Sequence, residues 1–219
     1  MAFPHEIISS QGAQSFPRTI SYEADGNCYL NITNRCSMSC RFCPKASGQW
    51  HMQGHDLYLT AEPDVDEIVE GVGDPRVYRE VVFCGLGEPT MRFYTMLQAS
   101  RKLREQGASI RVNTDGLVNV RMGRDVTADL EENIDTLCIS LNGHDARSYN
   151  DYCKPVYPQA FEAVVDFIYK VSVFVPNVIV VTVAGRKGIN LEACKKIARD
   201  NGADFMAIDQ DCLCHSWAI

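Results

Sequence analysis

Residues 80–103 read EVVFCGLGEPTMRFYTMLQASRKL and contain two patterns in succession. Residues 80–84 form a short apolar run rich in β-branched side chains, which predicts a buried strand. From Phe93 to Leu103, apolar residues recur every three or four positions, which predicts an amphipathic helix. A glycine-rich turn separates the two patterns. The stretch therefore predicts one β-strand followed by one α-helix.

The same alternation continues along most of the chain and predicts six βα units. The expected strands are Cys28–Thr33, Glu80–Cys84, Ser109–Asn113, Thr136–Leu141, Asn177–Val183 and Asp204–Asp209. The expected helices are 65–70, 93–103, 125–133, 161–171 and 191–197. Right-handed crossovers let six such units curl into an incomplete barrel, whereas eight close the full one. We therefore expect an α/β fold, a partial (β/α)6 TIM-type barrel with parallel strands and one long loop at 44–63.

Length and composition indicate one globular domain. The chain has 219 residues, of which 46% are hydrophobic and 22% charged, as in ordinary soluble proteins. We expect an N-terminal extension at 1–25, a core domain at 26–210 and a C-terminal tail at 211–219. The net charge of -7 argues against nucleic acid as a partner. The first 25 residues lack a basic start followed by an apolar run, so we expect no signal peptide, no membrane span and a cytoplasmic location.

Three cysteines follow the first expected strand, where ligands collect in parallel α/β folds. Cys36, Cys40 and Cys43 have the spacing C-x3-C-x2-C. Three thiolates would leave one iron of a [4Fe–4S] cluster without a protein ligand. The amino and carboxylate groups of S-adenosylmethionine (SAM) can chelate that iron. Two alternatives stay open at this point. One is a zinc site, and the other is an electron-transfer cluster with Cys212 or Cys214 as the fourth ligand.

The triplet, with Phe42 before its last cysteine, resembles the cluster motif of the radical SAM superfamily. The turn after the second strand resembles that family's G-x-G-E-P motif, through Gly85, Gly87, Glu88 and Pro89. The resemblance implies an oxygen-sensitive [4Fe–4S] cluster. It also implies that the backbone of this turn and the Glu88 side chain receive the SAM amino group.

Three later strand ends resemble the same family. Asn113 lies in an N-T-D-G segment, and Ser140 and Asn142 lie in S-L-N-G. In the family, polar side chains at these positions reach the ribose or carboxylate of SAM, and Asn142 stands where many relatives have aspartate. Val183, the last residue of the fifth strand, is expected to pack against the adenine, with a place in the apolar core as the alternative. The resemblance covers about residues 28–209.

Longer strings are similar to the TatD family-associated radical SAM proteins. They are VVFCGLGEPTMR, IRVNTDGLVN and ISLNGHDARSYNDYCKPVY. This resemblance implies association with a TatD-type hydrolase and, from the superfamily, a reductant such as flavodoxin or ferredoxin. It also implies reductive SAM cleavage for hydrogen abstraction from a small molecule or a protein. Two alternatives are an activating enzyme acting on a protein partner and a non-catalytic iron–sulfur or SAM-binding protein.

Two further groups of residues carry reactive side chains. Cys153 and Lys154 follow the fourth strand, near the expected mouth of the barrel. Cys153 is a candidate hydrogen-atom donor and Lys154 a candidate partner for an anionic substrate group, with a plain loop as the alternative. Cys212, Cys214 and His215 place metal-binding side chains close together but cannot by themselves complete a four-coordinate site.

Overall fold

The computed structural model describes residues 18–209. Its strands are β1 Ser21–Ala24, β2 Asn27–Asn31, β3 His51–Met52, β4 His55–Asp56, β5 Val81–Cys84, β6 Ile110–Thr114, β7 Thr136–Ser140, β8 Asn177–Val183 and β9 Asp204–Ile208. Its α-helices are α1 Val65–Val72, α2 Phe93–Glu105, α3 Val118–Met122, α4 Ala146–Cys153, α5 Ala160–Val171 and α6 Leu191–Asp200.

The main sheet has seven strands in the order β1-β2-β5-β6-β7-β8-β9. All neighbours from β2 to β9 are parallel, whereas β1 pairs antiparallel with β2. Helices connect the successive parallel strands, and the sheet does not close on itself within the described residues. The predicted α/β fold with six parallel strands of a partial barrel is confirmed.

Side chains alternate between the two faces of this sheet. Leu30, Phe83 and Val112 occupy paired positions on neighbouring strands and belong to the large apolar core. The other face carries more polar groups, including Arg111, which is fully buried and forms an ion pair with Glu80 at 3.0 Å. This ion pair lies at the amino ends of β5 and β6.

Two features lie where no regular structure was predicted. The expected loop at 44–63 contains the β3–β4 hairpin, and β1 lies inside the predicted extension at 1–25. Asp25 and Gly26 both have positive φ in the tight β1–β2 turn, the conformation that favours an Asp-Gly hairpin. The strands are short, so their alternation was too brief to detect. No helix among residues 18–209 has the length and apolar character needed to cross a membrane.

The predicted helix at 125–133 is wrong in most of its length. The chain forms only a 3₁₀ helix at Thr127–Leu130, and the α-helix α3 precedes it. The Asp125 carboxylate accepts bonds from the backbone and hydroxyl group of Thr127, at 3.0 and 2.7 Å, which favours a tight turn at this point. The chain then enters β7 at Thr136.

Candidate functional site

The three cysteines of the predicted cluster motif lie in an irregular loop after β2, which we call the cluster loop (residues 34–44). Each is half-buried and forms no disulfide. Cys36 and Cys40 line a cavity at the carboxyl ends of the strands, and all three line a second, adjoining cavity of about 550 Å³. The loop therefore presents its sulfur atoms to one connected region of space.

The first cavity also contains most of the predicted SAM contacts, so we call it the SAM cavity. Its lining residues are Cys36, Met38, Cys40, Phe42, Cys84, Gly85, Gly87, Glu88, Asn113, Thr114, Asp115, Ser140, Asn142 and Val183. Of the predicted contacts only Pro89 does not line it. Pro89 is buried and begins a 3₁₀ helix at Pro89–Arg92.

No three His, Cys, Asp or Glu side chains within residues 18–209 converge as they would around a single metal ion. The ligands of an iron–sulfur cubane bind different iron atoms, so their sulfur atoms need not meet at one point. The donor set of three cysteines beside an open cavity fits such a cluster.

Burial raises the pKa of the Cys36 thiol to about 12, and the nearby Glu88 and Asp115 carboxylates add to the shift. The pKa of Cys40 is raised first by a hydrogen bond with the Cys153 thiol, and burial also raises the pKa of Cys43. Iron binding must therefore displace protons from these thiols.

Cys153 and Lys154 lie behind the cluster loop and do not line the SAM cavity, contrary to their expected place at its mouth. The amide of Ser39 donates to the carbonyl oxygens of Cys153 and Lys154, at 3.1 and 3.3 Å, and the amide of Arg41 donates to Tyr152 at 2.9 Å. Cys153 is fully buried, and the Lys154 ammonium pairs with Asp151 at 3.7 Å. The segment therefore supports the loop that carries Cys40.

The turn after β5 packs directly against the start of the cluster loop. A Cβ atom on Gly87 would lie 1.9 Å from the carbonyl oxygen of Thr33, and the amide of Glu88 donates to Arg35 at 2.8 Å. Gly85 has a φ of 99°, in the region that favours glycine. Gly87 is thus required by a close approach of two backbones, and Gly85 is favoured by its positive φ.

The Glu88 carboxylate is buried and fixed by donors from two strand ends. Its Oε1 atom accepts from the amide and hydroxyl group of Thr90, at 3.0 and 2.6 Å, and from the Thr114 hydroxyl at 2.8 Å. Its Oε2 atom accepts from the Asp115 amide at 2.7 Å. Glu88 therefore holds the ends of β5 and β6 in register beside the cavity.

Three residues that the sequence did not single out connect this turn to the cluster loop. The Ser37 hydroxyl donates to Asp115 at 2.5 Å, and Arg121 donates to Ser37 at 3.4 Å and to Thr90. Asp115 is part of the N-T-D-G segment and was therefore within reach of sequence reasoning. Arg121 lies on α3, which was not predicted, and nothing in the sequence marks it.

Among residues 18–209, the side-chain amide of Asn113 has no hydrogen-bond partner at either its oxygen or its nitrogen, although both atoms are buried. An amide of this kind at a cavity wall is suited to bind a polar ligand. Asn142 differs, because its side-chain oxygen accepts from the Val183 amide at 2.9 Å. The ring of Phe42 lies under the Arg186 guanidinium at 4.6 Å.

The two buried carboxyl groups predict a pH dependence of stability. Burial, and then the charge of Asp115, raises the pKa of Glu88 from 4.5 to about 7. The folded protein therefore keeps this proton to a higher pH than the unfolded chain does. The free energy of unfolding should fall as the pH rises through the interval between these two pKa values, by on the order of 2–3 kcal/mol. Urea unfolding of the metal-free protein at about pH 5 and about pH 7.5 measures the change.

Carboxyl groups with a lowered pKa, such as Asp125 and Asp145, titrate below this range and do not obscure it. Glu88→Gln should remove most of this pH dependence, whatever it does to the free energy of unfolding at a single pH. A wild-type protein that is more stable at the higher pH would contradict the interpretation.

The predicted metal-binding side chains Cys212, Cys214 and His215 lie outside the described residues. A fourth cluster ligand from Cys212 or Cys214 therefore stays an alternative that the sequence allows.

Comparison with known proteins agrees with this geometry. A curated relative, the tungsten-containing aldehyde ferredoxin oxidoreductase cofactor-modifying protein of Pyrococcus furiosus, is 30% identical over 94 residues, which are 40% of this chain and 23% of the relative. Crystal structures of Streptococcus suis SuiB, one bound to precursor peptide SuiA and one bound to SAM, share the fold with TM-scores of 0.60 and 0.58. Both are 14% identical and cover 83% of this chain.

The chain spans only 38% of each SuiB chain, and so matches a part of these larger relatives. The family model described as the Radical SAM superfamily matches residues 30–200, well over half of the sequence. That match includes the cluster loop, the turn after β5 and the later strand ends. The chain therefore belongs to the radical SAM superfamily.

Proposed function

We propose that this chain is a radical SAM enzyme in which Cys36, Cys40 and Cys43 hold a [4Fe–4S] cluster beside bound SAM. One observation carries the proposal: the cysteines and eight of the nine predicted SAM contacts line adjoining cavities at the carboxyl ends of parallel strands. When bound, the cluster would supply the electron that cleaves SAM reductively to a 5′-deoxyadenosyl radical, which abstracts hydrogen from the substrate.

The protein's own residues bind and position these groups. Each cysteine thiolate would bind one iron, which leaves the fourth iron open to the amino and carboxylate groups of SAM. The backbone of the turn at Gly85–Gly87 would receive the SAM amino group. Glu88 already accepts four bonds from the protein, so its main part in this proposal is to fix that turn. The unpaired amide of Asn113 would bind a polar group of SAM.

Replacing Asn113 with alanine should weaken SAM binding about tenfold, because one to two hydrogen bonds are lost. The cluster should keep its visible absorption, since Asn113 is not an iron ligand. Equilibrium dialysis with labelled SAM measures the affinity. The matched control is Asn177→Ala at the amino end of β8, where the side chain binds the Asp135 carbonyl instead. Equal weakening in both variants would argue against a contact between Asn113 and SAM.

Anaerobic incubation of the reconstituted protein with SAM and dithionite tests the proposed activity. We expect 5′-deoxyadenosine from the wild type and none above background from Cys40→Ala. If the cluster-loaded wild type binds SAM but releases no 5′-deoxyadenosine, the non-catalytic iron–sulfur protein is the better interpretation.

Substrate and partners form a second part of the proposal. We propose a reductant of the flavodoxin or ferredoxin type, a cytoplasmic location, and a substrate that is a small molecule or a protein partner, as for an activating enzyme. Association with a TatD-type hydrolase rests on the sequence strings 81–92, 110–119 and 139–157. Metabolite profiles after deletion of this gene, alone and together with a neighbouring hydrolase gene, test the association. If the two deletions change unrelated sets of metabolites, the association with the hydrolase is contradicted.

A further inference from the structure

One thiol in the wall of the SAM cavity has no role in the proposal above. Cys84 is the last residue of β5 and lines the cavity together with Cys36 and Cys40. It forms no disulfide and is 8% exposed. It is not one of the three cysteines of the cluster motif. Its sulfur is therefore available for chemistry in the cavity.

Cys84 is paired with the hydroxyl group of a buried tyrosine. The Tyr22 oxygen lies 3.8 Å from the Cys84 sulfur and 4.0 Å from the Met52 sulfur. The Tyr22 ring stacks on Tyr29 with centroids 5.3 Å apart and contacts the half-buried His55 ring at 4.9 Å. A continuous path of side chains thus leads from the cavity wall through Tyr22 to the β3–β4 hairpin.

Both groups keep their hydrogen atoms at neutral pH. Burial raises the pKa of Cys84 to about 11, and burial together with the Cys84 thiol raises the pKa of Tyr22. The S–H bond of a thiol and the O–H bond of a phenol are both weaker than an aliphatic C–H bond. Either group can therefore give a hydrogen atom to a carbon radical.

We propose that Cys84 gives a hydrogen atom to the carbon radical formed in the SAM cavity, and that Tyr22 restores the thiol. The inference rests on the proposed function. In the first step the S–H bond breaks, a C–H bond forms on the substrate radical, and a thiyl radical remains. In the second step the Tyr22 hydroxyl gives its hydrogen atom to that sulfur. One electron from a flavodoxin- or ferredoxin-type reductant and one proton from water then restore Tyr22.

This order of steps defines the class of reaction at the substrate. Hydrogen is removed from one carbon and a hydrogen of solvent origin is returned, as in an epimerisation or a rearrangement. A net oxidation of the substrate would not need such a donor.

The test uses the cluster-loaded protein without substrate, so that the radical derived from SAM is itself the acceptor in the cavity. The protein is equilibrated in D₂O, freed of small thiols, and supplied with SAM and dithionite. We expect 5′-deoxyadenosine that carries one deuterium atom, because the Cys84 hydrogen exchanges with solvent. Mass spectrometry gives the deuterated fraction independently of the amount formed.

In Cys84→Ala the deuterated fraction should fall to background. Cys84→Ser should show the same loss, because its hydroxyl keeps the shape of the site but has a much stronger bond to hydrogen. Iron content, measured first, shows whether each variant carries its cluster. The matched control is Cys138→Ala, which removes a buried thiol on β7 that does not line the cavity and should keep the wild-type fraction.

Tyr22→Phe tests the second step. In this variant the formation of deuterated 5′-deoxyadenosine should stop after about one molecule per chain, because the Cys84 thiol is not restored. Product that continues at the wild-type level would overturn the part given to Tyr22. In the oxidised, cluster-loaded protein without reductant, at about pH 9.5 where part of the Cys84 thiol is ionised, SAM should also slow the alkylation of Cys84 by iodoacetamide. A measurable alkylation rate that SAM does not change would place the thiol out of reach of the bound SAM.

The outcomes separate the two proposals. An equal deuterated fraction in wild type, Cys84→Ala and Cys84→Ser would overturn the role of Cys84 and leave SAM cleavage intact. Absence of 5′-deoxyadenosine from the wild type would overturn the proposed function, and the role of Cys84 with it.

Discussion

Replacing Cys36, Cys40 or Cys43 with alanine should reduce the iron content of the reconstituted protein from about four atoms per chain to near zero. Each thiolate would hold a different iron, so the two remaining ligands cannot retain a cubane. The measurement is iron and sulfide analysis together with the visible absorption of the cluster.

The matched control for this experiment is Cys194→Ala. Cys194 is a buried free cysteine on α6, outside both cavities, and its removal should leave iron content unchanged. Circular dichroism shows whether the folds are equal. A Cys43→Ala protein that still carries four irons would show that another residue can serve as ligand.

Gly87→Ala should destabilise the metal-free protein by about 3 kcal/mol and prevent assembly of the cluster. The added Cβ would lie 1.9 Å from the Thr33 oxygen and 2.7 Å from the Thr33 carbonyl carbon. These are backbone atoms at the start of the cluster loop, so the contact can be relieved only if the loop and the turn separate. That separation would break the bond from the Glu88 amide to Arg35.

Urea unfolding followed by circular dichroism measures the cost of Gly87→Ala. Gly71→Ala is the matched control because its added Cβ would lie 3.4 Å from the Ser21 oxygen, and Gly71 is inside helix α1. Alanine favours a helix over glycine, so this variant should be as stable as the wild type or more so. If Gly87→Ala unfolds at the wild-type urea concentration and binds iron, the two backbones are not in contact.

The main elements of the barrel could be predicted because their patterns are regular. The strands β5, β6, β7 and β8 are buried along most of their length, and the helices α2 and α5 bury residues at helical spacing. β9 has no fully buried residue and α6 buries only Cys194 and Ala198, so these two elements were predicted from the recurrence of their apolar residues. Polar residues at the strand ends could also be predicted to share one cavity, because the carboxyl ends of parallel strands meet at one edge.

What the sequence could not predict depends on contacts between distant segments. Helix α4 buries only Tyr149 and Cys153 in an otherwise polar stretch, too few positions to reveal its period. Without that helix, Cys153 could not be placed behind the cluster loop. The Ser37–Asp115–Arg121 contacts likewise join residues 84 and 78 positions apart in the chain. The apolar strand around Cys84 indicates only a buried thiol, and the cavity beside it is visible only in the structure.

The central claim is that three cysteines hold a cluster with one open iron that binds SAM. Electron paramagnetic resonance of the dithionite-reduced protein tests this most directly, with and without SAM carrying a ¹⁵N-labelled amino group. We predict that SAM changes the spectrum of the reduced cluster. We also predict a hyperfine coupling between the ¹⁵N nucleus of the label and the electron spin of the cluster. A reduced cluster whose spectrum is identical with and without saturating SAM would contradict the account.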